Sequence, residues 1–339
     1  MQIIDESGPK SKFRMMELEK ELFQVTEKGF DRLALDVFRF QYENNPLYKA
    51  YTDQLGVRVA SVDGLTGIPF LPVSFFKTHA VRTTDFSPEA VFESSGTTGM
   101  GGSRHEVRKL ALYKKSFTEG FELFYGPVKD WCVIGLLPSY LERSNSSLIL
   151  MVNDLIALSG HADSGFYLYE HAALYTLLQE LERRGQKTLL IGVTFALLDF
   201  AERYKLDLRH TVVMETGGMK GRRREMTRGE LHAFLAHRLG VKTIHAEYGM
   251  TELLSQAYSP ADGLFTCPPW MKVLVRSEDD PLEVRAEGEG ILNIIDLANR
   301  WSCAFLATED VGRVHGDGRF EVSGRVDNSD LRGCSLLVA

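Results

Sequence analysis

An α/β fold with much parallel sheet, closing on a β-rich end, is what this sequence predicts. Three features predict it. Apolar positions recur at helical spacing near the start, helix-like and strand-like segments alternate from residue 107 onward, and β-rich runs follow Pro268.

In chain order, Phe13, Leu18, Leu22 and Phe23, then Leu33, Leu35, Val37, Phe38 and Phe40, predict helices between 13 and about 56. Pro69 and Pro72 predict an extended 66–76, because a proline pushes the residue before it out of the helical region. The alternation then predicts helix 111–125, strand 131–137, helix 145–158, strand 166–168, helix 171–184 and strand 187–191. Helix 194–204, strand 210–214, helix 226–238 and strand 241–245 continue it. Beyond Pro268, the runs Lys272–Val275, Ile291–Asp296, Phe305–Ala307 and Arg319–Val322 predict a small barrel or sheet. His315-Gly316-Asp317-Gly318 supplies a hairpin turn between the last two.

Composition narrows the function. A chain of 339 residues, 44% hydrophobic and 25% charged, can bury a large core. A net charge of -7 argues against non-specific nucleic-acid binding, and Arg222-Arg223-Arg224 is an isolated cluster that reads as a solvated loop. Met1–Ser7 shows no basic segment leading into an apolar one, so no signal peptide is expected. The apolar window Leu148–Leu158 is broken by Asn153 and Asp154 and is too short for a membrane span, which leaves a cytoplasmic enzyme as the expectation. Cys132, Cys267, Cys303 and Cys334 are scattered, without zinc spacing. Cys132 and Cys303 lie in buried-strand patterns, and Cys267 has no evident role. Cys334 follows Arg332 and Gly333, where a guanidinium favours the thiolate; on the residues alone it is a carrier nucleophile or a bystander.

Three motifs carry chemistry. Ser94-Ser95-Gly96-Thr97-Thr98-Gly99 follows the apolar Ala90-Val91-Phe92, and offers hydroxyls and close backbone N–H groups either as a phosphate cradle or as a plain flexible loop. Tyr248-Gly249-Met250-Thr251-Glu252 follows Val241–Ile244, which reads as a short buried strand. Asp310 and Arg325 stand fifteen residues apart in the hairpin region. A further turn, Thr216-Gly217-Gly218-Met219-Lys220, follows Thr211–Met214 and is a ligand-facing turn or simply a turn.

Together these motifs resemble the adenylate-forming superfamily of acyl-CoA synthetases, luciferases and peptide-synthetase adenylation domains. The resemblance implies that the 94–99 loop, Thr97 and Thr98 above all, holds the phosphates of ATP. By the same token Tyr248 stacks on adenine, Thr251 contacts the α-phosphate, Glu252 binds Mg²⁺, Asp310 and Arg325 clamp the ribose, and Gly217 and Gly218 lie near the adenine. Where the superfamily loop ends in lysine, Met100-Gly101-Gly102-Ser103-Arg104-His105 follows here; Arg104 replaces that charge or faces solvent. The superfamily's large N-terminal domain is expected, with its mobile C-terminal domain absent because the sequence stops at Ala339.

Ile68–His79, Leu136–Arg143 and Leu331–Leu336 resemble one branch more closely, the acyl-protein synthetases of bacterial luminescence, over a span from about Phe38 to the end. That branch activates a fatty acid with ATP, carries the acyl group on a cysteine near its C-terminus and delivers it to a reductase. The resemblance implies that Cys334 is the carrier, with an acyl pocket bordered by Pro138, Tyr140 and the Gly217–Met219 turn. The expected cofactors are ATP and Mg²⁺; the expected partners are a carboxylic acid, fatty or aromatic, and an acyl reductase or other acceptor protein. Alternatives are a ligase that passes the acyl group to coenzyme A or a carrier-protein thiol, and a non-catalytic docking subunit of a reductase. The expected organisation is a helical region 1–90 packed on the core, an α/β nucleotide-binding core 91–264, and a β-rich subdomain 265–339 ending in the Cys334 tail.

Overall fold

The structure, a computed structural model, describes residues 21–94, 102–138, 145–217 and 226–326. It opens with two helices. Helix α1 (Glu27–Asn44) buries Phe30, Leu33, Ala34, Val37 and Phe38 along one face. Asn45 and Pro46 end it and start α2 (Pro46–Gln54): the Asn45 side chain accepts from Tyr48 N, and proline fills the first helical position, where no N–H is needed. Strand β1 (Leu71–Pro72), the one-turn helix α3 (Phe75–Thr78) and the hairpin β2 (Ala90–Glu93)–β3 (Arg104–Val107) follow. The 66–76 stretch is thus extended only in its middle. The proline constraint acts on the preceding residue, so the backbone is free to turn helical after Ser74.

The alternating region contains α4 (Leu110–Tyr125), β4 (Cys132–Leu136), α5 (Ser147–Ser159), β5 (Gly165–Phe166), α6 (His171–Arg184) and β6 (Thr188–Val193). It continues through α7 (Thr194–Arg203), β7 (Thr211–Thr216), α8 (Arg228–Leu239) and β8 (His245–Tyr248) to β9 (Ala257–Ser259). These strands form a sheet of order β5-β4-β6-β7-β8-β9, parallel except for the edge strand β9. Every residue of β4 and β6 is buried, which explains their unbroken apolar runs: the strands are covered on both faces. The helices and strands expected between 107 and 240 fall within two residues of those observed.

The expected strand at 241–245 is displaced. Gly240 caps α8 with left-handed backbone, Lys242 and Thr243 are exposed, and pairing with β7 begins only at His245 opposite Met214. Tyr248 is therefore the last residue of β8 rather than a residue beyond it.

The β-rich end is a sheet, not a barrel. Strands β10 (Leu264–Phe265), β11 (Met271–Arg276), β12 (Val284–Arg285), β13 (Gly288–Asp296), β14 (Phe305–Val314) and β15 (Phe320–Arg325) take the order β10-β15-β14-β13-β11-β12. Strand β14 is much longer than the expected Phe305–Ala307 and turns into β15 at the expected hairpin, where Gly318 N donates to His315 O. Strand β1 pairs in parallel with Leu306–Ala307, so a segment from early in the chain joins this sheet.

The N-terminal helices pack against the same sheet. The buried Gln41 amide donates to Arg300 O at 2.9 Å and accepts from Ala304 N at 2.9 Å. Phe38 meets Phe305 and Tyr48 edge-on, each at 6.1 Å between ring centres. Phe38→Ala is expected to cost about 3–5 kcal/mol, the usual penalty for an aromatic cavity in a core.

Candidate functional site

The parallel strands β4, β6, β7 and β8 end on one edge of their sheet, which is where open α/β sheets gather ligands. Strand β7 ends in Thr216 and Gly217. Gly217 has φ +70, a left-handed turn that glycine adopts without strain, and its carbonyl accepts from the Thr194 hydroxyl at 2.6 Å. On the neighbouring strand Glu247 is buried and accepts from the Thr216 hydroxyl at 2.5 Å. Burial pushes its carboxyl up to about 7, against the pull of that hydroxyl. A Cβ on Gly249 would sit 2.5 Å from Glu247 Oε1, so a larger residue there would require that carboxyl to shift.

Tyr248 links the two sheets. Its hydroxyl donates to Asp310 Oδ2 at 2.7 Å, and Arg325 Nε donates to Asp310 Oδ1 at 2.8 Å. Asp310 and Arg325 are register partners in β14 and β15, which accounts for their meeting across a separation of fifteen residues. Burial, then the adjacent Asp310, raises the Tyr248 phenol well above its ordinary value, so it stays a donor. Its ring meets Phe320 at 5.4 Å and Phe265 at 5.8 Å, both edge-on.

Glu252 stands on the loop after β8 and is buried. Burial raises its carboxyl, while a hydrogen bond from Ser103 and the charges of Arg325 and Lys77 pull it back. The Arg325 charge therefore acts on Glu252 as well as on Asp310, which places the second and third motifs at one site. The first motif reaches it through its base: Ser94 N donates to Ser103 O at 3.0 Å, and Ser103 N to Ser94 Oγ at 2.8 Å. Arg104 faces Glu93 across the same hairpin, 3.4 Å apart, so its charge is engaged there.

Three groups that the sequence reading did not single out hold the Thr251–Glu252 loop from below. His105 Nδ1 meets Thr251 O at 2.8 Å, and burial lowers its ring to about 4, which keeps it neutral. Asn299 Nδ2 donates to Glu252 O at 2.6 Å. Asp296 accepts from Leu254 N at 2.7 Å and from the Ser255 hydroxyl at 2.6 Å. Asp296 and Asn299 are visible as polar residues after the largely apolar strand Ile291–Ile295, itself interrupted by Asn293, but nothing local ties them to residues more than forty positions earlier.

Pro138 is buried two residues beyond β4, and β6 separates that strand from β7 and Gly217. Met250 is half-buried against the core. Ser95, Gly96, Thr97, Thr98, Gly99, Tyr140, Gly218, Met219 and Cys334 lie outside the described residues. Among the described residues no helix is long and apolar enough to cross a membrane.

A family model described as acyl-protein synthetase, LuxE, matches residues 22–339. This chain belongs to that family. It is 24% identical to a long-chain-fatty-acid–luciferin-component ligase of Vibrio harveyi over 334 residues, 91% of this chain and 86% of the relative. A ligase of the same description from Aliivibrio fischeri is 23% identical over 94% of this chain and 89% of its own length. Among solved structures, ATP-bound MatB from Rhodopseudomonas palustris superposes with a TM-score of 0.53 at 16% identity, covering 73% of this chain and 49% of MatB. The fold is shared with MatB, and the chain spans about half the length of the MatB chains it matches.

Proposed function

We propose that this protein activates a long-chain fatty acid with ATP, carries the acyl group as a thioester on Cys334, and passes it to a reductase partner. The observation that carries the proposal is the convergence of Tyr248, Asp310, Arg325 and Glu252 at the junction of the two sheets, in a chain of the acyl-protein synthetase family. The names of the relatives, ligases of a long-chain fatty acid to a luciferin component, support the choice of acid and acceptor. The ATP held by the structural neighbour supports the choice of nucleotide. A cytoplasmic location, where ATP is available, is part of the proposal.

In this reading Tyr248 offers its ring to adenine, bordered by Gly217, Gly218, Gly249 and Met250. Asp310 and Arg325 take the ribose hydroxyls, Thr251 the α-phosphate, and Ser94, Ser95, Gly96, Thr97, Thr98 and Gly99 the remaining phosphates. Pro138, Tyr140 and Met219 border the acyl chain. The division into 1–90, 91–264 and 265–339 is proposed with it.

Glu252 suits Mg²⁺. It is a buried carboxylate beside one hydroxyl, and among the described residues no three His, Cys, Asp or Glu side chains gather into a metal cage. Mg²⁺ takes one or two carboxylates and completes its shell with phosphate oxygens and water. Bound there, it would offset phosphate charge.

The first half-reaction forms a bond from a carboxylate oxygen of the acid to the α-phosphorus and breaks the bond to pyrophosphate. In the second, the Cys334 sulfur bonds to the acyl carbon and AMP leaves. The other cysteines make poor carriers. Burial pushes Cys132 up to about 11 and Cys303 up to about 12, and raises Cys267 further still, so all three stay thiols.

The test is intact-protein mass spectrometry after incubation with ATP, Mg²⁺ and a panel of carboxylic acids. A gain of one acyl group, removed by hydroxylamine and absent in Cys334→Ala, supports the reading. Acid-dependent pyrophosphate release without any adduct would move the acceptor to an external thiol.

A further inference from the structure

The Ile68–His79 segment contributes a cation that none of the roles above uses. Helix α3 is tied to the second sheet at its base, where Val73 N donates to Ala307 O at 3.0 Å. Phe76 is buried and sets its ring edge-on to His105, 5.5 Å between centres. His105 in turn holds Thr251 O. The turn carrying Lys77 therefore packs on the histidine that positions the Thr251–Glu252 loop. Lys77 itself is exposed, and its charge acts on the Glu252 carboxyl.

Neighbouring cations are already engaged. Arg325 is paired with Asp310, Arg104 with Glu93, and Arg82 with Glu106, while Arg108 lies over Trp301. The Lys77 backbone N–H donates to Ser74 O at 3.0 Å, but its side chain makes no hydrogen bond or ion pair among the described residues. A nucleoside triphosphate brings several negative charges to this place, and Glu252 adds another. An ammonium on a flexible four-carbon stem is suited to follow such charge as it shifts toward a departing pyrophosphate.

We propose that Lys77 binds the β- and γ-phosphates of ATP at the Ser94–Ser103–Glu252 side of the site and stabilises the pyrophosphate as it leaves. The proposal rests on the adenylation reading given above. Because AMP lacks those phosphates, Lys77 separates ATP from AMP, which Tyr248, Asp310 and Arg325 do not.

The experiment is acid-dependent ATP–pyrophosphate exchange, with ATP and AMP binding measured in parallel, on wild type, Lys77→Ala, Lys77→Arg and the remote exposed variant Lys129→Ala. Lys77→Ala is expected to lower exchange roughly a hundredfold, the scale of losing one preorganised charge partner. It should weaken ATP binding, leave AMP binding and thermal unfolding unchanged, and be largely rescued in Lys77→Arg. Exchange by Lys77→Ala within twofold of wild type, or equal losses of ATP and AMP binding, would overturn the role of Lys77 alone. A wild-type protein without acid-dependent exchange would overturn the adenylation reading and this proposal together.

Discussion

The parallel sheet brings Thr251 and Glu252 to the site on a loop beyond a strand end, whereas the mainly antiparallel sheet brings Asp310 and Arg325 within paired strands. Glu252, on the loop after β8, depends on His105, Asn299 and Asp296 for its place, all drawn from distant segments. Asp310 and Arg325 need only the register of one hairpin. A loop can place a charge deep in a cleft at the expense of many supporting contacts. A hairpin places a pair with local pairing alone, here with Asp310 buried and 61% of the Arg325 side chain exposed. Substitutions on the loop side should therefore affect chemistry or its supporting shell, and those in the hairpin should affect nucleotide affinity with little loss of stability.

The largest expected effect is that of Glu252→Gln. If Glu252 holds Mg²⁺, acid-dependent pyrophosphate release should fall by about two orders of magnitude at limiting Mg²⁺ while the thermal midpoint holds. An unchanged rate would remove its metal role.

The next prediction concerns pH. The folded Glu247 carboxyl lies near 7, above its ordinary 4.5, so the folded state binds that proton more tightly than the unfolded chain does. The stability this contributes is fully present below about pH 4.5 and is lost as the pH rises through about 7. Glu247→Gln, neutral throughout, should flatten the curve of urea midpoint against pH. The variant should gain on wild type between pH 5 and 8, by a few kcal/mol at most. Parallel curves would show that Glu247 ionises without penalty.

Smaller effects are expected in the hairpin. Arg325→Ala should weaken ATP and AMP alike by about tenfold, roughly 1.4 kcal/mol. Its stability should change by less than about 1 kcal/mol, because the guanidinium end of the pair is largely exposed. Isothermal titration and urea melts would check both halves. A stability loss larger than the affinity loss would break the contrast between the two regions. Tyr248→Phe, which removes only the hydrogen bond to Asp310, should cost about 1 kcal/mol, seen as a small rise in the Kd for AMP.

By itself the sequence determined the alternation of helices and strands between 107 and 240, because buried parallel strands and amphipathic helices leave distinct apolar periods. It also determined the hairpin that joins Asp310 to Arg325, since an Asp-Gly turn and a fixed separation are local facts. Only the tertiary structure decided that Tyr248 closes β8 and bonds to Asp310, 62 residues away in the other sheet. It also brought β1 onto β14 and set His105 and Asn299 beneath the Thr251–Glu252 loop. Periodicity reports which face of an element is buried, not what that face will meet. Each of these contacts joins segments whose individual patterns contain no term for the other.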